Sequence, residues 1–231
     1  MKHNLFVTIL AVFFSTQALA SELTTDQQKY SYAMGVKFGQ MLKNQVSPDI
    51  DIAPFTNAIA DILSGKESQL SPEELQQAMK SYFEAQTAKR EALASANLEK
   101  GKAFRDKNKS RDGVVTLENG IQYEVLTEGK GETPAEDTQV EVQYRGTFIN
   151  GEEFDSSYKR GKPAQFALNG VIPGFREAIT RMKPGAKWKV VVPPELGYGK
   201  KGAGTTIGPN ETLIFDIEYI GPVQKPAAPK S

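Results

Sequence analysis

The sequence predicts an α+β protein built from two dissimilar halves. An all-α dimerisation domain and a long helical connector come first. A C-terminal antiparallel sheet wrapped on one short helix follows. Three observations carry this. Apolar residues recur at helical spacing from Thr25 to about Lys109. From Gly113 the period changes to strand-like runs rich in Val, Ile, Thr and aromatic residues. Turn signals divide those runs at Gly129-Lys130-Gly131, Asn150-Gly151, Lys183-Pro184-Gly185 and Gly208-Pro209-Asn210.

Residues 1–20, "MKHNLFVTILAVFFSTQALA", have a basic start, an apolar run from Leu5 to Phe14 and a small-x-small ending at Ala18-Leu19-Ala20. This is the pattern of a secretory signal peptide cut after Ala20. The run is too short to span a bilayer, which takes about 20 apolar residues. The expectation is therefore export to the periplasm, with no stable membrane insertion.

Residues 21–70 read as the helical dimerisation domain. Thr25-Asp26-Gln27-Gln28 has the form of a capping box. Tyr30, Met34, Phe38, Met41 and Leu42 follow at helical spacing. Gly35 and Gly39 leave a small-residue notch, which suits packing within one chain as well as packing across a dimer. A second helix fits Pro54 to Leu63, with Gly65 as its stop.

The connecting helix occupies 71–112. Ser71, Pro72 and Glu74 combine a capping serine, an N1 proline and an N3 glutamate. Leu75, Met79, Tyr82, Phe83 and Gln86 give its first turns a face to bury. After Gln86 the apolar stripe thins, so the second half reads as a solvated spacer. Three helices with so little apolar surface make a poor monomeric core, and self-association is the preferred reading.

Residues 113–222 form the sheet domain. Its strands are "GIQYEVLTEG", "TQVEVQYRGTFI", "PAQFAL", "AKWKVVVP" and "ETLIFDIEYIG". One short helix, "GFREAITRM", interrupts them with Phe175, Ala178, Ile179 and Met182 on one face. Residues 223–231 are proline-rich and read as a disordered tail.

Composition narrows the chemistry. The chain has no cysteine and one histidine, and His3 lies in the signal segment. Ser-His-Asp and Cys-His nucleophile systems and the usual zinc ligand sets are thereby excluded from the mature chain. No metal site or cofactor is expected. A formal net charge of +0 gives no field to draw the chain to nucleic acid.

Two motifs fail on context. "GYGKKG", Gly197 to Gly202, matches G-x-G-x-x-G, but loop and strand follow it where a dinucleotide site needs a helix N-terminus. Glu152, Glu153 and Asp155 suggest glycosidase carboxylates, yet the two glutamates adjoin a hairpin turn where they are solvated. More informative is Asp155 itself, placed between Phe154 and Ser156 on a returning strand. Strand alternation turns either Phe154 or Asp155 inward, and the carboxylate needs a partner. In "VIPGFREAI", apolar Val171 and Ile172 precede the short helix. This suits either simple anchoring of the helix on the sheet or an apolar pocket with Phe175 as floor and the Ile172 backbone N–H at its edge.

Taken together, "VQYRGTFINGEEFDSS", "VIPGFREAI", "VVVPPELGYG" and "GPNETLIFDIEYI" resemble the FKBP-type peptidyl-prolyl cis-trans isomerases from about Gly120 to Pro222. With the signal segment, "YAMGVKFGQ" and the helical rod, the whole chain resembles the bacterial macrophage infectivity potentiator branch of that family. The resemblance implies one pocket lined by Tyr144, Phe154, Asp155, Val171, Ile172, Phe175, Tyr198 and Phe215, with Arg160 paired to Asp155. It assigns Asp155, Tyr198 and the Ile172 N–H to catalysis and the remaining residues to substrate binding. It also implies proline-containing exported proteins as substrates, a homodimer formed through the N-terminal helices, and binding of macrolide inhibitors. Phe175 stands where many members carry tryptophan, and Ala164, Ala203 and Thr206 replace larger or more apolar residues. Two functions stay open at this point: an isomerase of exported proteins, or a holdase chaperone whose pocket binds without isomerising.

Overall fold

A computed structural model of the chain describes residues 22–45 and 50–223. The signal segment and the tail from 224 lie outside them. The described chain divides after Pro72 into two units.

In the first unit, helix α1 spans Asp26–Gln45 and helix α2 spans Ile52–Leu63. The capping box forms: Gln28 N–H donates to Thr25 Oγ1 at 3.2 Å, and Gln28 Oε1 accepts from Thr25 N–H at 3.0 Å. Helix α2 begins two residues before Pro54, because Asp51 caps it by accepting from Ala53 N–H at 3.1 Å. Phe38 of α1 stacks on Phe55 of α2, with ring centroids 6.2 Å apart. No described residue of Glu22–Leu70 is buried. Tyr30, Met34, Ile62 and Leu63 all stand at least half exposed.

Helix α3 runs Pro72–Asn108, a rod of about 55 Å at 1.5 Å per residue. Leu75, Met79 and Phe83 are exposed in the single chain, so the apolar face expected of its first turns has no cover there. The second half is solvated on one side only. Ala94, Asn97, Gly101, Arg105 and Asn108, at helical spacing, lose exposure against the sheet domain. A Cβ on Gly101 would meet Thr212 Oγ1 at 2.3 Å, so glycine permits this approach. Arg105 Nη1 donates to the Thr212 hydroxyl, and Asn108 Nδ2 donates to Gln122 Oε1 at 2.8 Å. This stripe is polar and small rather than apolar, which is why hydrophobic periodicity does not register it.

The sheet has seven strands: β1 Val114–Thr116, β2 Gln122–Thr127, β3 Gln139–Phe148, β4 Glu153–Ser156, β5 Ala164–Ala167, β6 Lys187–Val192 and β7 Leu213–Pro222. Their order is β1-β2-β6-β7-β3-β4, and every pair is antiparallel. Strand β3 shares its outer edge: β5 pairs along Gln139 to Val142 and β4 along Arg145 to Thr147. Helix α4, Pro173–Ile179, packs on β6. Between helix and sheet lies the core, including Leu168, Ile179, Met182, Val190, Leu213 and Ile217, each at most 2% exposed.

The β3–β4 hairpin turns through Ile149-Asn150-Gly151. Phe148 N–H donates to Glu152 O at 2.9 Å, and Gly151 alone takes the left-handed conformation, at φ +87°. Pairing then slips: Gly146 faces Asp155, but Thr147 faces Glu153, and Phe154 is left over as a bulge.

Candidate active site

That bulge builds one wall of an aromatic concavity. In a regular strand Phe154 and Asp155 would face opposite sides. With Phe154 bulged, both line one pocket of about 250 Å³. The ring of Phe154 lies over Gly146, where a Cβ would meet its Cζ at 2.5 Å.

Phe175, in the first turn of α4, is the floor, 4% exposed. Three rings meet it edge to face: Phe215 at 5.2 Å, Tyr144 at 5.7 Å and Phe166 at 6.1 Å between centroids. Phe154 stands edge-on to Phe215 at 5.7 Å. Each ring therefore packs against its neighbours. Val171 and Ile172 close the side at the helix start. Ile172 caps α4 by accepting at its carbonyl from Phe175 N–H and Arg176 N–H, both at 3.1 Å. Among the described residues no acceptor meets its own N–H.

Polar groups occupy one rim. Asp155 Oδ1 accepts from Arg160 Nη1 at 2.7 Å and from Ser156 N–H at 2.8 Å, while the Tyr144 hydroxyl donates to Oδ2. Arg160 Nη2 also donates to the Tyr144 hydroxyl at 2.7 Å, closing a triangle. Partial burial pushes the Asp155 carboxyl up, but the Tyr144 hydroxyl, the Arg160 guanidinium and the Ser156 N–H together hold it below the usual range. Asp155 is thus an anion at neutral pH. Burial, and then the bond to Asp155, push the Tyr144 phenol up to about 12. Burial and the Asp155 charge likewise raise Tyr198, whose hydroxyl has no protein partner among the described residues.

The structure brings all the expected pocket residues together and sets Arg160 beside Asp155. Phe166 and Gly170 also line the pocket and were not anticipated. Phe166 sits in "PAQFAL", read only as a strand; its alternation with Gln165 was the available signal. Ala164 packs against the core, as does Ala203. Among the described residues, no group of three or more His, Cys, Asp and Glu side chains is placed to hold a metal ion.

A seven-stranded antiparallel sheet on one helix, closed around a pocket of aromatic rings with one charged pair at its rim, defines an FKBP-type domain. The family model for the FKBP-type peptidyl-prolyl cis-trans isomerase matches residues 130–220. The model for the domain amino terminal to that isomerase matches residues 27–125. The chain belongs to the FKBP-type peptidyl-prolyl cis-trans isomerase family. It is 44% identical over 227 residues to the peptidyl-prolyl cis-trans isomerase Mip of Coxiella burnetii, covering 95% of this chain and 97% of the relative. It is 41% identical over 208 residues to the outer membrane protein MIP of Legionella longbeachae, covering 87% and 88%. The crystal structure of FkpA from Escherichia coli matches with a TM-score of 0.61 at 40% identity, covering 90% of this chain and all of that one.

Proposed function

We propose that this isomerase is exported, works as a homodimer, and accelerates folding steps limited by X-Pro bonds in exported proteins. The observation that carries the mechanism is the pocket itself: aromatic, closely packed, and carrying hydrogen-bonding groups only at its edge.

Rotation about an X-Pro bond faces a barrier of ~18–20 kcal/mol, because the planar amide is resonance-stabilised. No covalent bond breaks, so no nucleophile is required. The proline ring seats against Phe175, with Phe154 and Phe215 at its sides. Stripped of water, the amide loses the hydrogen bonds that favour its planar, polar form, and the twisted form gains by comparison. The Ile172 N–H and the Tyr198 hydroxyl donate to the substrate carbonyls on either side of the ring. Asp155, held ionised by Arg160 and Tyr144, fixes the rim and sets the field at the twisted amide.

Two features support the homodimer: the uncovered apolar faces of α1, α2 and the start of α3, and the lack of any buried residue among the described residues of the first unit. Two linked apolar pockets in one dimer also suit a second activity, the holding of unfolded chains. Peptide isomerisation and suppression of aggregation of a proline-independent client separate the two. Asp155→Ala and Tyr198→Phe are each expected to lower kcat/KM on a short X-Pro peptide by about tenfold, the cost of one to two lost polar contacts. Aggregation suppression is expected to persist in both. Unchanged peptide isomerisation in both variants would remove these residues from the mechanism.

A further inference from the structure

The docked face of α3 meets the segment that follows Tyr198. Arg90 Nη2 donates to the carbonyls of Lys201 at 2.6 Å and Lys200 at 3.3 Å. Asn97 Nδ2 donates to Pro209 O and to Glu211 Oε1, both at 2.9 Å. Asn210 reaches back, its Nδ2 donating to Ala94 O at 3.2 Å. Asn210 is one backbone hydrogen bond from Gly199, the residue next to Tyr198. Its N–H donates to Gly199 O at 2.9 Å, and Gly202 N–H donates to the carbonyl of Tyr198 at 3.1 Å. Asn210 is also the one non-glycine residue with positive φ among the described residues, at +55°. Asparagine tolerates that conformation, and here it aims the amide at the helix while the backbone N–H meets the tyrosine turn.

Between Tyr198 and Asn210 the chain carries glycines at 199, 202, 204 and 208, and most of its side chains are exposed. Ala203 and Ile207 tie its middle to the core and pair through backbone bonds of 2.9 and 3.0 Å, but Lys200 and Lys201, next to Tyr198, are exposed and have little packing of their own. Arg90 of α3 holds that exposed end, and Asn97 and the Ala94 carbonyl hold the other.

We infer that Arg90, Asn97 and Asn210 are positioning residues of the isomerase. They clamp the segment from Gly199 to Glu211 onto α3 and so hold the Tyr198 hydroxyl at the pocket rim. The inference rests on the reading of Tyr198 as a donor to substrate. It gives the long helix a part in each active site, since loss of positional precision in a substrate-contacting group costs rate.

The test is a set of double-mutant cycles on the full chain, read as kcat/KM for a short X-Pro peptide. Arg90→Ala, Asn97→Ala and Asn210→Gly, the last keeping the left-handed backbone accessible, are each made with Tyr198 and with Tyr198→Phe. Each is expected to lower kcat/KM about fivefold beside Tyr198, as loss of one hydrogen bond implies, and to have little effect beside phenylalanine. Arg90→Lys, which retains a donor, is expected to recover most of the loss. Arg90 is itself exposed and outside the core, so its variants fold, and faster amide exchange at Gly202 in Arg90→Ala reports the freed loop. Equal losses in both backgrounds, or unchanged exchange at Gly202, would overturn the inference. So would a deficit in Tyr198→Phe with the clamp variants at full activity, which leaves the tyrosine's role intact. A silent Tyr198→Phe would remove both.

Discussion

Gly146 and Phe154 compete for one position: a Cβ on the glycine would stand 2.5 Å from Cζ of the ring and 2.7 Å from Cε2. The two residues lie on adjacent strands, and the bulge that frees Phe154 from pairing tips its ring across Gly146. Gly146→Ala therefore displaces the wall of the pocket rather than its floor. Expected are a stability loss of about 1–3 kcal/mol, typical of overpacking, and a larger proportional loss in kcat/KM on an X-Pro peptide. Denaturant midpoints and peptide kinetics on the same variant check both. Full activity in a destabilised variant would mean that the Phe154 ring is not set by this contact.

How far the sequence carried the site is visible at that bulge. Alternation alone put Phe154 and Asp155 on opposite faces, and only the slipped register explains why both line one pocket. The strands themselves were legible, because Val, Ile and aromatic residues recur between strong turn signals. Strand β1 was missed, having three residues, two of them exposed. Helices α1 to α3 were legible from caps and period. The docking stripe on α3 was not: Arg90, Ala94, Asn97, Gly101, Arg105 and Asn108 keep helical spacing, but they bind through hydrogen bonds and close approach. Apolar periodicity is blind to such a face.

Asp155 gives the site its pH dependence. Its carboxyl is held low in the fold, so the anion and the contacts that need it are present above the ordinary carboxylate range, near 3.9, and are lost as pH falls through the still lower folded value. Activity of the parent should be insensitive to this group down to about pH 5, given that reference value. Arg160→Met removes one of the bonds that depress it, so the acid limb of the kcat/KM profile should move upward. Both side chains are nearly half exposed, at 45% and 44%, so solvent screening keeps the accompanying stability change small. A profile that does not move would show that Tyr144 and Ser156 suffice to hold the charge.

The floor offers a third check. Phe175 is closed in by Tyr144, Phe166 and Phe215, leaving its upper face to the pocket. Phe175→Trp adds aromatic area beneath the proline ring at the risk of crowding the three neighbours. Activity is expected to hold or rise, and binding of a macrolide inhibitor to tighten, as titration calorimetry would measure. A folded variant that loses both properties would establish that the surrounding rings are fitted to phenylalanine.

Truncation separates the roles of the N-terminal helices. A chain beginning at Thr87 drops the exposed faces of α1, α2 and the start of α3, yet keeps Arg90, Asn97 and Arg105 on the sheet domain. It should sediment as a monomer and isomerise peptides as the full chain does, because the pocket and its clamp are intact. On a proline-limited unfolded protein it should be markedly slower, since two linked sites raise the effective concentration of the second. A chain beginning at Gly113 keeps every pocket residue but loses Arg90 and Asn97, and with them the anchors of the segment after Tyr198. Its peptide kcat/KM should fall several-fold below that of the Thr87 chain, about the cost of the lost hydrogen bonds. Equal activity in the two truncated chains would confine α3 to joining the units, and a monomeric full-length protein would end the dimer reading.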